Sequence, residues 1–264
     1  MLSELLSNVR QKRPVVHTIT NYVTANDCAN LLLAVGASPI MADAPEEAAQ
    51  IAALADAVVL NLGTLSAARR EAMRLAGGCA HALGKPVVLD PVGVGASDFR
   101  RETAMLLLEQ ARPTIIRGNR SEIRALATGQ TGERGVDSAE EADASEEYAI
   151  RLARRFGTVV LQTGETDLVT DGNRSTLVRG GSEMLCLVTG AGCMLSALTG
   201  AYLAANPAQP FEAAAAAATA MSVCAEIAAQ RLAPGEGNAS FRSRLIDAMC
   251  GLTPETFRTW RDDT

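Results

Sequence analysis

One pattern recurs five times along the first two thirds of this chain: a short run of β-branched apolar residues, then a longer Ala/Leu-rich stretch with helical spacing. The runs are Val15-Val16-His17-Thr18-Ile19, Ala57-Val58-Val59-Leu60-Asn61, Pro86-Val87-Val88-Leu89-Asp90, Thr114-Ile115-Ile116-Arg117 and Thr158-Val159-Val160-Leu161-Gln162. Strands that are apolar throughout have both faces buried, so their alternation with helices predicts a mostly parallel sheet covered on both sides, an α/β layer fold. After Gln162 the rhythm changes. Two short alternating strands, Asp167–Thr170 and Ser175–Val178, joined by Asp171-Gly172-Asn173, predict a hairpin. From Met194 onward only helices are expected, over 195–205, 213–231 and 241–252. Their alanine-rich faces suit close packing along one wall.

The 264 residues, 48% hydrophobic and 20% charged, suit one globular domain spanning 1–264. A net charge of -6, with no cluster of Lys and Arg and only 3% aromatic residues, argues against nucleic-acid binding. Six scattered cysteines without a C-x-x-C pair give no zinc signature and point to a reducing cytoplasm. MLSELLSNVRQKRP has no apolar core long enough for a secretory signal. The alanine run over 213–220, bracketed by Glu212 and Glu226, is expected as a buried helix rather than a membrane span. The acidic segment 129–147 is expected to be a solvated, mobile loop running into the next helix.

Two features point to phosphate. In Thr189-Gly190-Ala191-Gly192-Cys193, two glycines precede a strong helical pattern; glycine lets backbone approach a ligand closely, and a helix start attracts anions. Many strand-to-helix turns share that spacing and bind nothing. It is no Walker A loop, since Lys85 of Gly84-Lys85-Pro86 precedes a strand. The second feature is acidic. Asp90 closes a buried strand before the glycine-bearing Pro91-Val92-Gly93-Val94-Gly95, at the sheet edge where open α/β proteins bind ligands. Asn119 and Glu122 follow the next strand. Their oxygens suit Mg²⁺, which takes one or two carboxylates, waters and phosphates; the alternative is a helix capping box.

The segments LDPVGVGAS, IIRGNRSEI, LQTGETDLVTDG and TGAGCMLSALTGAYLA, in this order and spacing, resemble the hydroxyethylthiazole kinase family. HTITNYVTANDCANLLLAVGASPIMADAPEE matches it too, so the likeness covers nearly the whole chain. The resemblance implies a ribokinase-like three-layer α/β/α fold, ATP and Mg²⁺ as cofactors, and phosphorylation of the primary alcohol of 4-methyl-5-(2-hydroxyethyl)thiazole for thiamine synthesis or salvage. It also implies a homotrimer with substrate pockets shared between subunits. Carried over by position, Met41, Gly190, Asn21 and Val23 match the thiazole pocket, Arg117 and Thr163 the nucleotide site, and Asp90 and Glu122 the acids near the phosphates and Mg²⁺. Met41 as core filler, Arg117 as a strand-end ion pair and Thr163 as a turn residue are the alternatives.

Backbone N–H groups of Gly190, Ala191, Gly192 and Cys193 are expected to hold the moving phosphoryl group. Many ribokinase-like enzymes carry aspartate as the base where this chain has Cys193. A helix start lowers a thiol's pKa, so Cys193 is expected to act as the base or to position the hydroxyl, the alternative being a small polar filler. His17 is expected as a satisfied core histidine, and His81 carries no assignment. The rivals are a hydroxymethylpyrimidine or pyridoxal kinase, an ADP-activated dehydratase, and a catalytically silent nucleotide sensor. A dehydrogenase reading fails because no G-x-G-x-x-G opens a helix near the N-terminus.

Overall fold

The computed structural model describes residues 2–129 and 139–257. Of the acidic segment 129–147, residues 130–138 lie outside them, and residues 139–147 already belong to a helix. The first half of the chain runs α1 (Leu2–Lys12), β1 (Val15–Ile19), α2 (Ala25–Val35), β2 (Ser38–Ile40), α3 (Pro45–Leu54), β3 (Ala57–Asn61), α4 (Ala67–Ala82), β4 (Val87–Asp90), α5 (Asp98–Gln110) and β5 (Ile115–Asn119). Next come α6 (Arg120–Thr128), α7 (Ala139–Phe156), β6 (Val159–Thr163) and the hairpin β7 (Asp167–Thr170) and β8 (Ser175–Val178). The chain then ends in the helices α8 (Ala191–Ala205), α9 (Pro210–Gln230) and α10 (Asn238–Gly251).

Among the described residues the strands form one eight-stranded sheet in the order β2-β1-β3-β4-β5-β6-β7-β8. The first six in that order pair in parallel, and β7 and β8 add on antiparallel. All five expected parallel strands and the hairpin are present, each within about two residues of its expected ends. β2 was not expected. It has three residues, too few to show a period, and lies at the sheet edge, where Pro39 can lack an N–H without breaking a shared ladder.

Strand side chains alternate between two cores, as the period of two demands. Val16, Val59, Val88, Ile115 and Val159 face one side, with α1, α2, α8, α9 and α10, while Val58, Leu60, Val87, Leu89 and Ile116 face α3 to α7. Each is at most 4% exposed, so each contributes roughly 1.5–3 kcal/mol of burial. The alanine-rich α9 is long and apolar enough to cross a bilayer, yet it packs between α8, α10 and the last strands, with Ala213 to Ala218 at most 4% exposed. The expected buried helix is what forms.

Two consequences position the site. The strands on either side of β1 are β2 and β3, so the chain leaves β1 in opposite directions and a crevice opens beyond the carboxyl ends of β1 and β3. α8 lies close over β1, β3 and β4, because Gly200 has no side chain: a Cβ there would lie 2.5 Å from Val59 Cγ2.

Candidate active site

Asp90, the last residue of β4, is completely buried. Its Oδ2 accepts from Asn61 Nδ2 at 2.6 Å and Ser196 Oγ at 2.7 Å, and Arg117 Nη1 stands 3.8 Å away. Its Oδ1 has no partner. Burial pushes this carboxyl up from 3.8 to about 6; the Arg117 charge opposes the rise and the Glu122 charge adds to it. Desolvation therefore outweighs the nearby cation.

Glu122 and Asn119 form the capping box that opens α6. Asn119 Oδ1 accepts from the Glu122 N–H, and Glu122 Oε2 from the Asn119 N–H, both at 2.9 Å. Glu122 Oε1 in turn accepts from Gly93 N–H at 2.9 Å, tying the loop after Asp90 to α6. The capping-box alternative is therefore what the structure shows at Asn119 and Glu122.

Arg117, on β5, is 9% exposed and donates through Nη2 to Thr163 Oγ1 at 2.8 Å. Its guanidinium lies against the first turn of α8, where a Cβ on Gly192 would come within 2.5 Å of Nη1. Gly190, the N-cap of α8, has φ +85°, and a Cβ there would lie 2.0 Å from Thr24 Cγ2. Of the expected phosphate donors, Ala191 N–H already bonds Val188 O at 3.2 Å, while the helix start leaves those of Gly192 and Cys193 facing outward.

Cys193 is half-buried, and its Sγ accepts from Asn21 Nδ2 at 3.2 Å. Burial, followed by the Asp90 charge, raises its thiol pKa despite hydrogen bonds from Asn61, Thr24 and Asn21. The direction is opposite to the expected lowering: desolvation of a thiolate and the neighbouring Asp90 carboxylate both raise it. Asn21 is buried after β1, Met41 half-buried just after β2, and Tyr22 and Val23 stand 73% and 56% exposed at the rim. The expected residues therefore gather along one carboxyl edge. His17 is only half satisfied: Nε2 meets Ala42 O at 2.7 Å, Nδ1 has no partner, and burial lowers its pKa.

Among the described residues no three His, Cys, Asp or Glu side chains converge as a metal cage. The partnerless Asp90 Oδ1 beside Glu122 does suit Mg²⁺, which needs few protein ligands. Both Glu122 oxygens already accept N–H bonds, so water-mediated contact fits that residue better. Sequence reading missed Asn61, Ser196 and Thr24. Asn61 had a signal, a polar residue closing an apolar strand just as Asp90 does, and Thr24 had a weaker one as a helix N-cap residue, whereas Ser196 sits inside a helix without one.

A mostly parallel sheet between two helical layers, with a glycine-started helix brought against an acid and an arginine at the strand ends, defines a ribokinase-like phosphotransferase fold. The pyridoxal kinase of Staphylococcus aureus, solved with AMP-PCP, shares this fold with a TM-score of 0.60 at 18% identity, covering 79% of this chain and 88% of that one. The model of the hydroxyethylthiazole kinase family matches residues 6–255. A hydroxyethylthiazole kinase from Clostridium acetobutylicum is 45% identical over 96% of this chain and 95% of its own. The structure of one from Pyrococcus horikoshii OT3 superposes with a TM-score of 0.88 at 40% identity, covering 98% and 96% of the two chains. The chain belongs to the hydroxyethylthiazole kinase family.

Proposed function

We propose that this chain, acting as a single domain over residues 1–264, transfers the γ-phosphoryl group of ATP to the primary alcohol of 4-methyl-5-(2-hydroxyethyl)thiazole in thiamine synthesis or salvage. The observation that carries this reading is family membership across nearly the whole chain.

The alcohol oxygen bonds to the γ-phosphorus as the bond to the bridging oxygen breaks and ADP leaves, while the alcohol's proton passes to solvent. Gly192 and Cys193 offer N–H groups to the moving phosphoryl oxygens, with Gly190 and Ala191 shaping the turn. Arg117, fixed by Thr163, supplies a positive charge on the nucleotide side. Mg²⁺ would be held by Asp90 and, through water, by Glu122, where it would neutralise phosphate charge. Cys193, its thiol raised and so protonated at neutral pH, positions the hydroxyl instead of removing its proton; a loose transition state asks little of a base.

Asn21, Val23, Met41 and Gly190 line the alcohol pocket in this reading. The exposed Tyr22 and Val23 at its rim support a homotrimer whose neighbouring subunit covers them. The six free cysteines support a reducing cytoplasm. ADP release measured with a panel of alcohols tests the assignment: the thiazole alcohol should be the preferred acceptor. Preference for pyridoxal or hydroxymethylpyrimidine overturns it.

A further inference from the structure

Asn61 closes β3 and stands in register with Asp90 on the neighbouring strand. It is 1% exposed and fully engaged. Its Oδ1 accepts from Gly63 N–H at 2.9 Å and from Asn21 Nδ2 at 3.3 Å, and its Nδ2 donates to Asp90 Oδ2 at 2.6 Å. A backbone N–H can only donate, so the Gly63 contact fixes which way round the amide sits. The loop closes tightly on the pair: a Cβ on Gly63 would lie 2.8 Å from Asn21 Nδ2 and 2.9 Å from Asn61 Oδ1. The second N–H of Asn21 goes to Cys193 Sγ at 3.2 Å. Cys193 also takes a hydrogen bond from Asn61 itself, so Asp90, Asn61, Asn21 and Cys193 form one connected group beside the start of α8.

We propose that Asn61 is a positioning residue for the phosphoryl transfer, one buried amide that holds the carboxylate at the phosphate end and, directly and through Asn21, the thiol at the hydroxyl end at a single separation. This rests on the kinase reading above. Transfer between two bound molecules needs the reacting atoms held about 3–3.5 Å apart, and a 1 Å misplacement can cost about 10²-fold in rate. Asn61 touches neither reacting group by this account. It acts by keeping two groups that do from drifting independently.

The test compares full-length Asn61→Leu, which removes donor and acceptor together, with Asn61→Asp, which keeps the acceptor for Asn21 and Gly63 but sets a carboxylate against Asp90. For Asn61→Leu, kcat should fall about 10²-fold while the KM values for ATP and alcohol stay within about threefold. The rate of Cys193 alkylation by iodoacetamide, read by mass spectrometry in ligand-free protein, should change at least about threefold in the same variant, because Cys193 loses the Asn61 hydrogen bond and Asn21 is released. For Asn61→Asp, kcat should fall as far or further through like-charge repulsion, and alkylation should slow at least about threefold, because a carboxylate replaces the N–H that Asn61 gives Cys193. Thermal melting checks that each variant folds, and Asn61→Asp carries the test if the leucine variant does not. Unchanged kcat in a folded variant, a loss confined to KM, or failure of both variants to fold overturns the proposal. If unmutated protein phosphorylates none of the alcohols, the kinase reading falls separately, and the alkylation rates still report whether Asn61 governs Cys193.

Discussion

At the phosphate end, Asp90, Arg117 and Glu122 are each at most 9% exposed and are joined by hydrogen bonds and charge to β3, β6, α6 and α8. At the alcohol end, Tyr22 and Val23 stand 73% and 56% exposed, with Tyr22 held only loosely under the Arg69 guanidinium 5.5 Å from its ring. Charges out of water interact strongly and keep one geometry, so the phosphate end is completed by this chain's own fold. In the proposed reading a neighbouring subunit covers these exposed side chains. In the same reading the nucleotide is held at the rigid end and acceptor choice falls to the more open one.

The sharpest way to break this contrast is Gly190→Ala. Positive φ and a Cβ position 2.0 Å from Thr24 Cγ2 leave no room without moving the α8 start, so kcat/KM should drop on the order of 10³-fold, checked by steady-state kinetics. Near-normal activity would mean that the phosphate end is not rigid.

Asp90→Asn should cost turnover on the order of 10²-fold yet leave the ligand-free protein as stable as before or more so at pH 7. The sign follows from the raised carboxyl. Between 3.8, its ordinary value, and about 6 in the fold, the native state binds the extra proton, so Asp90's contribution to stability improves as pH falls through that window and worsens as pH rises. The Tm advantage of the asparagine variant should therefore shrink from pH 7 toward pH 4. An advantage that grows on acidification would show that burial does not dominate at Asp90.

A smaller effect is expected at Cys193, where the two ends meet. Cys193→Ser should stay within about tenfold of the original kcat, because positioning needs only a small polar group. Cys193→Asp should keep or raise kcat; abolished activity with fold and ATP binding intact would remove this position from hydroxyl handling altogether. The smallest change belongs to the rim. Tyr22→Ala should raise KM for the alcohol a few-fold, leave KM for ATP alone, and cost only about 0.5–1 kcal/mol of stability with the loss of the Arg69 contact. Size-exclusion chromatography of the same variant should show a weakened trimer, and an unchanged trimer and KM would detach this surface from the pocket.

Local patterns made much of the molecule legible. The β-branched runs ending at Ile19, Asn61 and Asp90 mark strand ends directly, and Gly190 and Gly192 mark the helix start that Arg117 approaches. β2 was hidden by its three residues, and the unsatisfied side of His17 could not be read, because only the packing around a buried ring says which nitrogen finds a partner.

The sequence by itself determined the layered sheet, the order of its strands' chemistry, the glycine-started helix and the likeness to thiazole-alcohol kinases. The first three depend on propensity, period and spacing, which act over a few residues, and the likeness on the motifs' identity and order along the chain. Only the tertiary structure decided that the Cys193 thiol is raised instead of lowered, and that Asn61 stands between Asp90 and Asn21. Asn21 and Cys193 are 172 positions apart, and burial and hydrogen bonding between them exist only once β1, β3, β4 and α8 have been packed together.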